Sequence, residues 1–509
     1  MKNAIDEITS RILAGEKDIN KVKKEISKKY HLKSMPKNSQ ILCNIPKNKK
    51  TKELIKLLKR KPMRTSSGVS PIAVMIKPQG SCRHSCIYCP YTGNAPKSYT
   101  GFEPASLRAK ESNFDPGIQV KTRLEQFKIN GHPTDKCEVI IMGGTFLQTP
   151  KRYQNWFIKN IYDAMNQKNS KNLTDAKKLN ETSKNRVIGL TIETRPDVFT
   201  KKDADSILEY GGTKIEFGVQ NPDDNIYSKI KRGHNVGDVI SATKLAKDYG
   251  FKVCYHLMPG LYCSNKKKDI QMIKKIFKKD QFKPDMLKIY PTLILKGTEI
   301  YELVKNKKHI PMSDANAVEI ISEWYKYIPE YVRVMRIQRD IPSNLIDFGV
   351  KKSNLRELVE KRITEKKINI HEIRYRELGL NKKKIKHPVL KKTKYTASNG
   401  TEVFISFIDG KYLIGFIRLR IPKKSPRKEI GGNGAIVREL HIYGPEISID
   451  RKGDIQHQGF GHKLLKEAEK EALKQHKHKL IVISGIGARE YYYKFGYKPD
   501  GPYVSKNLK

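Results

Sequence analysis

The sequence predicts an α/β protein: a partial or complete β/α barrel of the TIM-like kind in the middle of the chain, an α+β domain after it and a basic helical region before it. Three observations lead there. Between about residues 71 and 345, six short apolar segments alternate with amphipathic stretches, the pattern of parallel strands buried on both faces by crossover helices. Near residue 393 the pattern changes to hairpin-forming strands. Before residue 70, apolar residues recur at helical spacing with lysines between them.

In chain order, residues 1–70 contain "AIDEITSRIL", "INKVKKEISKKY" and "TKELIKLLKR", each an amphipathic helix with a cationic outer face. Residues 71–345 supply the strands "IAVMIKP", "EVIIMGG", "VIGLTIET", "KIEFGVQ", "KVCYHLMP" and "DMLKIYP". A doubly wound sheet is the alternative arrangement of the same segments. The polar run 167–186 reads as a surface insertion, and 346–392, with "KSNLRELVEKRITEKK", as a helical linker. Residues 393–509 open with "TEVFISFIDGKYLIGFIRLRIP", where the "DGK" turn joins two alternating strands. There follow "IVRELHIYG", a glycine-containing loop feeding an amphipathic helix, "KLIVISG" and "REYYYKFGYKPDGPY".

Composition narrows the functional classes. The 509 residues carry 101 Lys and Arg against 53 Asp and Glu, a formal net charge of +48. That excess, spread along the whole chain, points to a polyanionic partner such as nucleic acid, although lysine-rich runs are often only solvated faces. No run approaches the ~18 apolar residues of a membrane span, and the acidic N-terminus "MKNAIDEITSRILAG" does not read as a signal peptide. Seven cysteines, an odd number with three in one loop, fit a reducing, cytoplasmic setting and metal chemistry better than a disulfide framework.

Those three, Cys82, Cys86 and Cys89 in "GSCRHSCIYCPY", directly follow the first apolar segment, and loops after strands are where barrel chemistry resides. Structural zinc normally takes four protein ligands. Three clustered thiolates leave a disulfide with a spare thiol, or an iron–sulfur cluster whose fourth iron is open. Soft thiolates on a short loop suit the cluster. The C-x3-C-x2-C spacing matches that of the radical S-adenosylmethionine enzymes, in which the nucleotide chelates that open iron. A second motif, Q-x-x-G-x-G at Gln456, Gly459 and Gly461, lies where a helix begins. Glycines there let backbone N–H groups approach a diphosphate that the positive helix end favours. Between "ELHIYG" and "IVISG…YYYKFGY" this loop resembles the acetyl-CoA loop of GNAT-type acetyltransferases.

The pairing of the two, with the blocks "KPMRTSSGVSPIAVM", "DKCEVIIMGGTF", "GLTIETRPD", "RGHNVGDVI", "LKIYPTLILKGT", "VRELHIYG" and "ISGIGAREYYYKFGYKPDGPY" in order, resembles the Elongator catalytic subunits, the tRNA uridine(34) acetyltransferases. The resemblance implies a reaction that installs a carboxymethyl group on carbon 5 of the wobble uridine of tRNA, with acetyl-CoA as co-substrate and S-adenosylmethionine and a 4Fe–4S cluster as cofactors. It implies Cys82, Cys86 and Cys89 as metal ligands. Gly143 and Gly144 would receive the methionine part of the nucleotide, and Glu193, Arg195 and Gln220 would bind its ribose or carboxylate. Lys136, the strand Glu439, Leu440, His441 and Ile442, and the loop residues Phe460, Gly461 and His462 would contact acetyl-CoA. Tyr492 matches a tyrosine near the thioester sulfur and is the catalytic candidate.

Where some relatives carry a cysteine-rich stretch this chain reads "INIHEIRYREL", which argues against an interdomain zinc site. Cys137, Cys254 and Cys263 have no paired ligand at metal spacing. An electron-donor protein, and a homodimer or accessory subunits, are compatible with the resemblance. Two other enzyme readings stand beside it: a protein lysine acetyltransferase with a structural cluster, and a radical enzyme acting on another RNA base. An RNA-binding scaffold needs neither motif.

Overall fold

The computed structural model describes residues 1–65, 67–78, 82, 84–144, 146–381, 385–443 and 459–509. Four short helices, α1 (Lys2–Leu13), α2 (Ile19–Lys29), α3 (Asn38–Asn44) and α4 (Lys52–Leu58), open the chain. They close over a core of their own made by Ile8, Ile12, Val22, Ile26, Ile41 and Leu42. Asp18 and Thr51 cap α2 and α4 by accepting from Lys21 N and Leu54 N, which satisfies amide groups that have no partner inside the helix. The sequence reading missed α3, a single short turn-rich helix with no cationic repeat.

The middle of the chain builds a seven-stranded, wholly parallel sheet from β1 (Ser70–Met75), β2 (Lys136–Met142), β3 (Arg186–Thr194), β4 (Lys214–Gln220), β5 (Lys252–Leu257), β6 (Met286–Ile289) and β8 (Arg333–Ile337). The order follows the chain, with the two-residue strands β7 (Leu293–Ile294) and β9 (Phe348–Gly349) paired to each other at the side. Among the described residues β1 and β8 do not pair, so the barrel is partial. β8 escaped the sequence reading because "RVMRI" carries two arginines in five residues and three of the five are only partly buried.

Two expectations need correction. The run 167–186 is more than a surface insertion: it holds the helix Leu173–Asn180, and the fully buried Asn180 side chain donates to the Asn185 carbonyl and accepts from Val187 N. The first part of the stretch read as a linker packs in the first domain's core, since the helix Leu355–Glu365 buries Leu355, Val359 and Ile363 there, and its last residues begin a strand that starts at Val389.

The last part forms a second seven-stranded sheet: β10 (Val389–Ala397), β11 (Gly400–Asp409), β12 (Tyr412–Pro422), β13 (Gly434–Ile442), β14 (Lys479–Val482), β15 (Lys498–Asp500) and β16 (Tyr503–Asn507). Only the β13–β14 pair is parallel. The helix Phe460–Lys474 lays Leu464, Leu465 and Ala468 on this sheet. This domain docks on the end of the first where the parallel strands begin. Arg438 reaches Asp285, just before β6, and Arg420 reaches Asp248, near the start of β5. The cysteine loop lies at the opposite end.

Candidate active site

All seven parallel strands end at one cavity of about 490 Å³. Cys82, Cys86 and Cys89 line it together with Gly144, Glu193, Arg195 and Gln220, so all but one of the residues expected at the nucleotide end reach one space. Gly143 is adjacent: its φ of +132° and the 2.5 Å that a Cβ would leave to Ile76 admit only glycine. Gly144, at φ +63°, has open space where a side chain would be. Gln220 holds φ at +65° without being glycine, a conformation that surrounding structure must enforce, and its buried Oε1 has no hydrogen-bond partner.

The cysteine loop is anchored from behind. Ile87 N donates to the Ile230 carbonyl at 3.2 Å, and the turn that follows contains Gly233, where a Cβ would stand 2.0 Å from the His84 ring. Burial pushes the Cys89 thiol up to about 11. Burial, the largest single influence, acts on Cys86 in the same sense, but the Arg232 guanidinium, 3.5 Å from its Sγ, together with Arg195 and Tyr88 holds that thiol below its ordinary value. Every cysteine of the chain is a free thiol. Three soft donors converging on one cavity beside a buried cation fit a negatively charged iron–sulfur cluster.

Glu193 accepts from the Tyr99 hydroxyl at 2.8 Å and lies 3.7 Å from the Lys288 ammonium. Arg195 pairs with Asp197 through two bonds of 3.0 and 3.2 Å and donates to the Arg232 carbonyl at 2.7 Å, while its Nη1 is buried without a partner.

Below these residues the barrel interior is ionic. Lys288 bonds Glu216; His256 Nε2 lies 2.8 Å from the same carboxylate; Lys214 stands 3.7 Å from Glu216 and 2.5 Å from Glu138. Barrel interiors are ordinarily layers of Val, Ile and Leu. Burial would raise the Glu216 carboxyl, but Lys288, His256 and Lys214 hold it well below the usual range. Glu216, Cys254 and His256 bring ligand-type atoms within 4.8 Å of one another, yet the two lysines already supply the charge a cation would bring. Sequence reasoning missed this set. The signal was present as polar residues at every second position: Lys214 and Glu216 in "KIEFGVQ", Lys252, Cys254 and His256 in "KVCYHL", Lys288 and Tyr290 in "KIY".

The second site lies at the other end. β13 pairs with β14 only from Gly434 to Val437, so among the described residues the Glu439–Ile442 main chain is hydrogen-bonded along one edge, to β12. An open strand edge of this kind accepts an extended, amide-bearing ligand. Glu439 takes the Arg418 guanidinium at 2.7 Å, and His441 stacks on Phe416 and meets Tyr443 at a tilt, the three rings forming one cluster. Leu440 and Ile442 pack on the domain core from the other face. Gly459, at φ +83°, begins the helix Phe460–Lys474 with no side-chain cap, which leaves that end suited to an anion. Phe460 is buried against Phe407, and His462 stacks on Phe495 at 4.3 Å. A Cβ at Gly461 would meet the Tyr491 hydroxyl at 2.4 Å. Tyr492 is buried among core residues. Gln456 lies outside the described residues. Lys136 begins β2, in register with Arg186, whose guanidinium reaches Glu490 of the second domain at 2.6 Å; it therefore belongs to the interdomain end.

Comparison with known proteins agrees with this division. Residues 1–66 match the ELP3 N-terminal domain, 76–276 the radical SAM superfamily, 284–365 the radical SAM C-terminal domain and 385–508 the acetyltransferase (GNAT) domain. The tRNA uridine(34) acetyltransferase of Methanocaldococcus infernus is 47% identical over 514 residues, spanning 97% of this chain and 96% of the relative. Elongator complex protein 3 of Homo sapiens is 41% identical over 515 residues, spanning 97% and 93%. The solved structure of the archaeal Methanocaldococcus infernus Elp3 lacking its N-terminal residues 1–46 covers 87% of this chain and 100% of its own, at 44% identity and a TM-score of 0.78.

Proposed function

The chain belongs to the family of the tRNA uridine(34) acetyltransferases and Elongator complex protein 3, and from that premise we propose that it modifies the wobble uridine of tRNA, using acetyl-CoA and S-adenosylmethionine to form 5-carboxymethyluridine. The observation that supports this best is the conjunction, in one chain, of a three-thiol cavity at one end of the barrel and an open acetyltransferase strand edge docked on the other.

In this reading Cys82, Cys86 and Cys89 hold the 4Fe–4S cluster. Bound there with S-adenosylmethionine, it supplies one-electron radical chemistry that no side chain can. Gly143 and Gly144 leave room for the methionine moiety, and Glu193, Arg195 and Gln220 orient the nucleotide. The main chain of Glu439, Leu440, His441 and Ile442 pairs with the pantetheine arm, while Gln456 and the helix start from Gly459 through Phe460, Gly461 and His462 receive the diphosphate, with Lys136 nearby. Tyr492 donates a proton to the departing thiolate. The substrate is tRNA, met by the lysine-rich surface. Among the described residues no helix is long and apolar enough to cross a membrane, and the reading places the enzyme in the cytoplasm with an electron-donor protein and, as in Elongator, accessory subunits.

The test is nucleoside mass spectrometry of tRNA from a strain lacking the gene and complemented with wild type or Cys86→Ala. We expect the modified uridine to return only with wild type, and purified Cys86→Ala to hold fewer irons and to form no 5′-deoxyadenosine. A deletion strain with unchanged wobble uridine, alongside altered lysine acetylation of proteins, would instead favour the protein acetyltransferase reading.

A further inference from the structure

Arg232 occupies an unusual electrostatic position. It lies on the turn after Ile230, behind the cysteine loop, with only 6% of its surface exposed. Its Nη2 donates to the Gly218 carbonyl at 2.5 Å, its Nη1 points at Cys86 Sγ at 3.5 Å, and its Nε is buried with no partner. Asp197, the carboxylate of this neighbourhood, is already taken by Arg195 and His234, and no carboxylate is ion-paired with Arg232 among the described residues. A guanidinium cannot shed its proton in a protein, and a buried charge is retained only where something of opposite sign compensates it. Among the described residues, the one group of that kind within hydrogen-bond reach is the Cys86 sulfur.

We propose that Arg232 is a positioning residue for the cluster: its Nη1–H donates to the sulfur at Cys86 and its charge offsets that of the thiolate-held iron–sulfur group, raising the group's reduction potential. The proposal rests on the reading of the three cysteines as ligands. Reduction adds one electron, from a low-potential donor, to a group that is already negative. A fixed cation and an N–H···S bond favour the more negative reduced form, and hydrogen bonds to sulfur are one of the means by which proteins set such potentials. The arrangement is built in from far along the chain, because Arg232 and Cys86 are 146 residues apart and the Ile87–Ile230 backbone bond clamps the two segments together.

The experiment compares wild type, Arg232→Lys and Arg232→Met after anaerobic reconstitution. Iron is counted first, and the midpoint potential is then measured by titration with dithionite under electron paramagnetic resonance, without S-adenosylmethionine and with it. We expect Arg232→Met to keep its iron while its reduction constant falls about tenfold or more, about 59 mV for a one-electron couple, already without the nucleotide. Arg232→Lys, with charge but no fork, should fall between. An unchanged potential in an iron-replete Arg232→Met protein overturns the proposal. So does a potential that moves only with the nucleotide present, which would make Arg232 a ligand of the nucleotide carboxylate. If Arg232→Met fails to fold by circular dichroism, the Lys variant decides, a wild-type potential there counting against the proposal. A wild-type protein that binds no iron would instead refute the ligand reading beneath it.

Discussion

Tyr491, Tyr492 and Tyr493 are consecutive, and a short helix gives each a different environment. Tyr491 is 37% exposed with its hydroxyl beside Gly461; Tyr492 is buried in the domain core; Tyr493 donates to Glu181 of the first domain at 3.3 Å. Burial pushes the Tyr492 phenol above its ordinary value, so at neutral pH it is a proton donor and not a base. If it protonates the leaving thiolate, Tyr492→Phe slows acetyl-CoA turnover by roughly ten- to a thousand-fold, about 1.4 to 4 kcal/mol of barrier, with cluster content unchanged. Tyr491→Phe, by contrast, should raise the Michaelis constant for acetyl-CoA and leave turnover at saturation intact. Steady-state titrations of both variants separate the two effects, and a Tyr492→Phe enzyme with wild-type turnover would remove that residue from the chemistry. Which of three identical neighbours faces the ligand depends on helix phase and packing, and neither can be read from "EYYYKFGY" alone.

At the scale of elements, the strand segments and the cysteine loop were legible because their signals are local: apolar runs of strand length, and thiols spaced within eight residues. The helix that begins after Gly459 in the second domain was legible for the same reason. What the sequence concealed was long-range. Continuous apolar runs imply burial on both faces, but in a barrel one face looks inward, and there Lys214, Glu216, His256 and Lys288 satisfy one another across strands. The pairing of Arg232 with Cys86 was hidden for the same reason. The N-terminal helices turned out amphipathic as read, and their polar faces allow a quantitative test. Lys21, Lys24 and Lys28 are exposed on one side of α2, while Lys29 is committed to Glu7. If the three meet tRNA phosphates, replacing them with Gln lowers the slope of log affinity against log salt by about two to three units, since each lost contact removes somewhat less than one. Filter-binding or fluorescence titrations across salt concentrations measure this, and an unaltered slope would locate the RNA surface elsewhere.

At the scale of the whole molecule, the two domains are joined by buried charge. Arg438 donates to both oxygens of Asp285 at 2.6 and 2.8 Å and to Glu402 at 2.9 Å; Arg420 bridges Asp248 and Glu402; Lys247 sits 3.6 Å from Asp285 and 3.5 Å from Glu402. These three carboxylates and three cations all lie at 4% exposure or less, and Arg418, 3.7 Å from Asp285 and itself paired with Glu439, adjoins them. Asp285, Asp248 and Lys247 belong to the barrel domain, and the other three to the second. Such a network adds little over apolar packing while intact, but losing one member strands the others in a dry interior. Glycines complete the fit, since a Cβ on Gly485 would stand 2.1 Å from the Ile188 carbonyl of β3. Arg438→Met should therefore cost about 3–5 kcal/mol, because Asp285 and Glu402 keep their charge and lose their main partner. The loss falls on the interface, so scanning calorimetry of wild type should give one cooperative transition and the variant two, with the second domain's no longer tied to the barrel's. A variant that still unfolds in a single step at the wild-type temperature would mean that apolar contacts alone hold the two sites in register across the barrel.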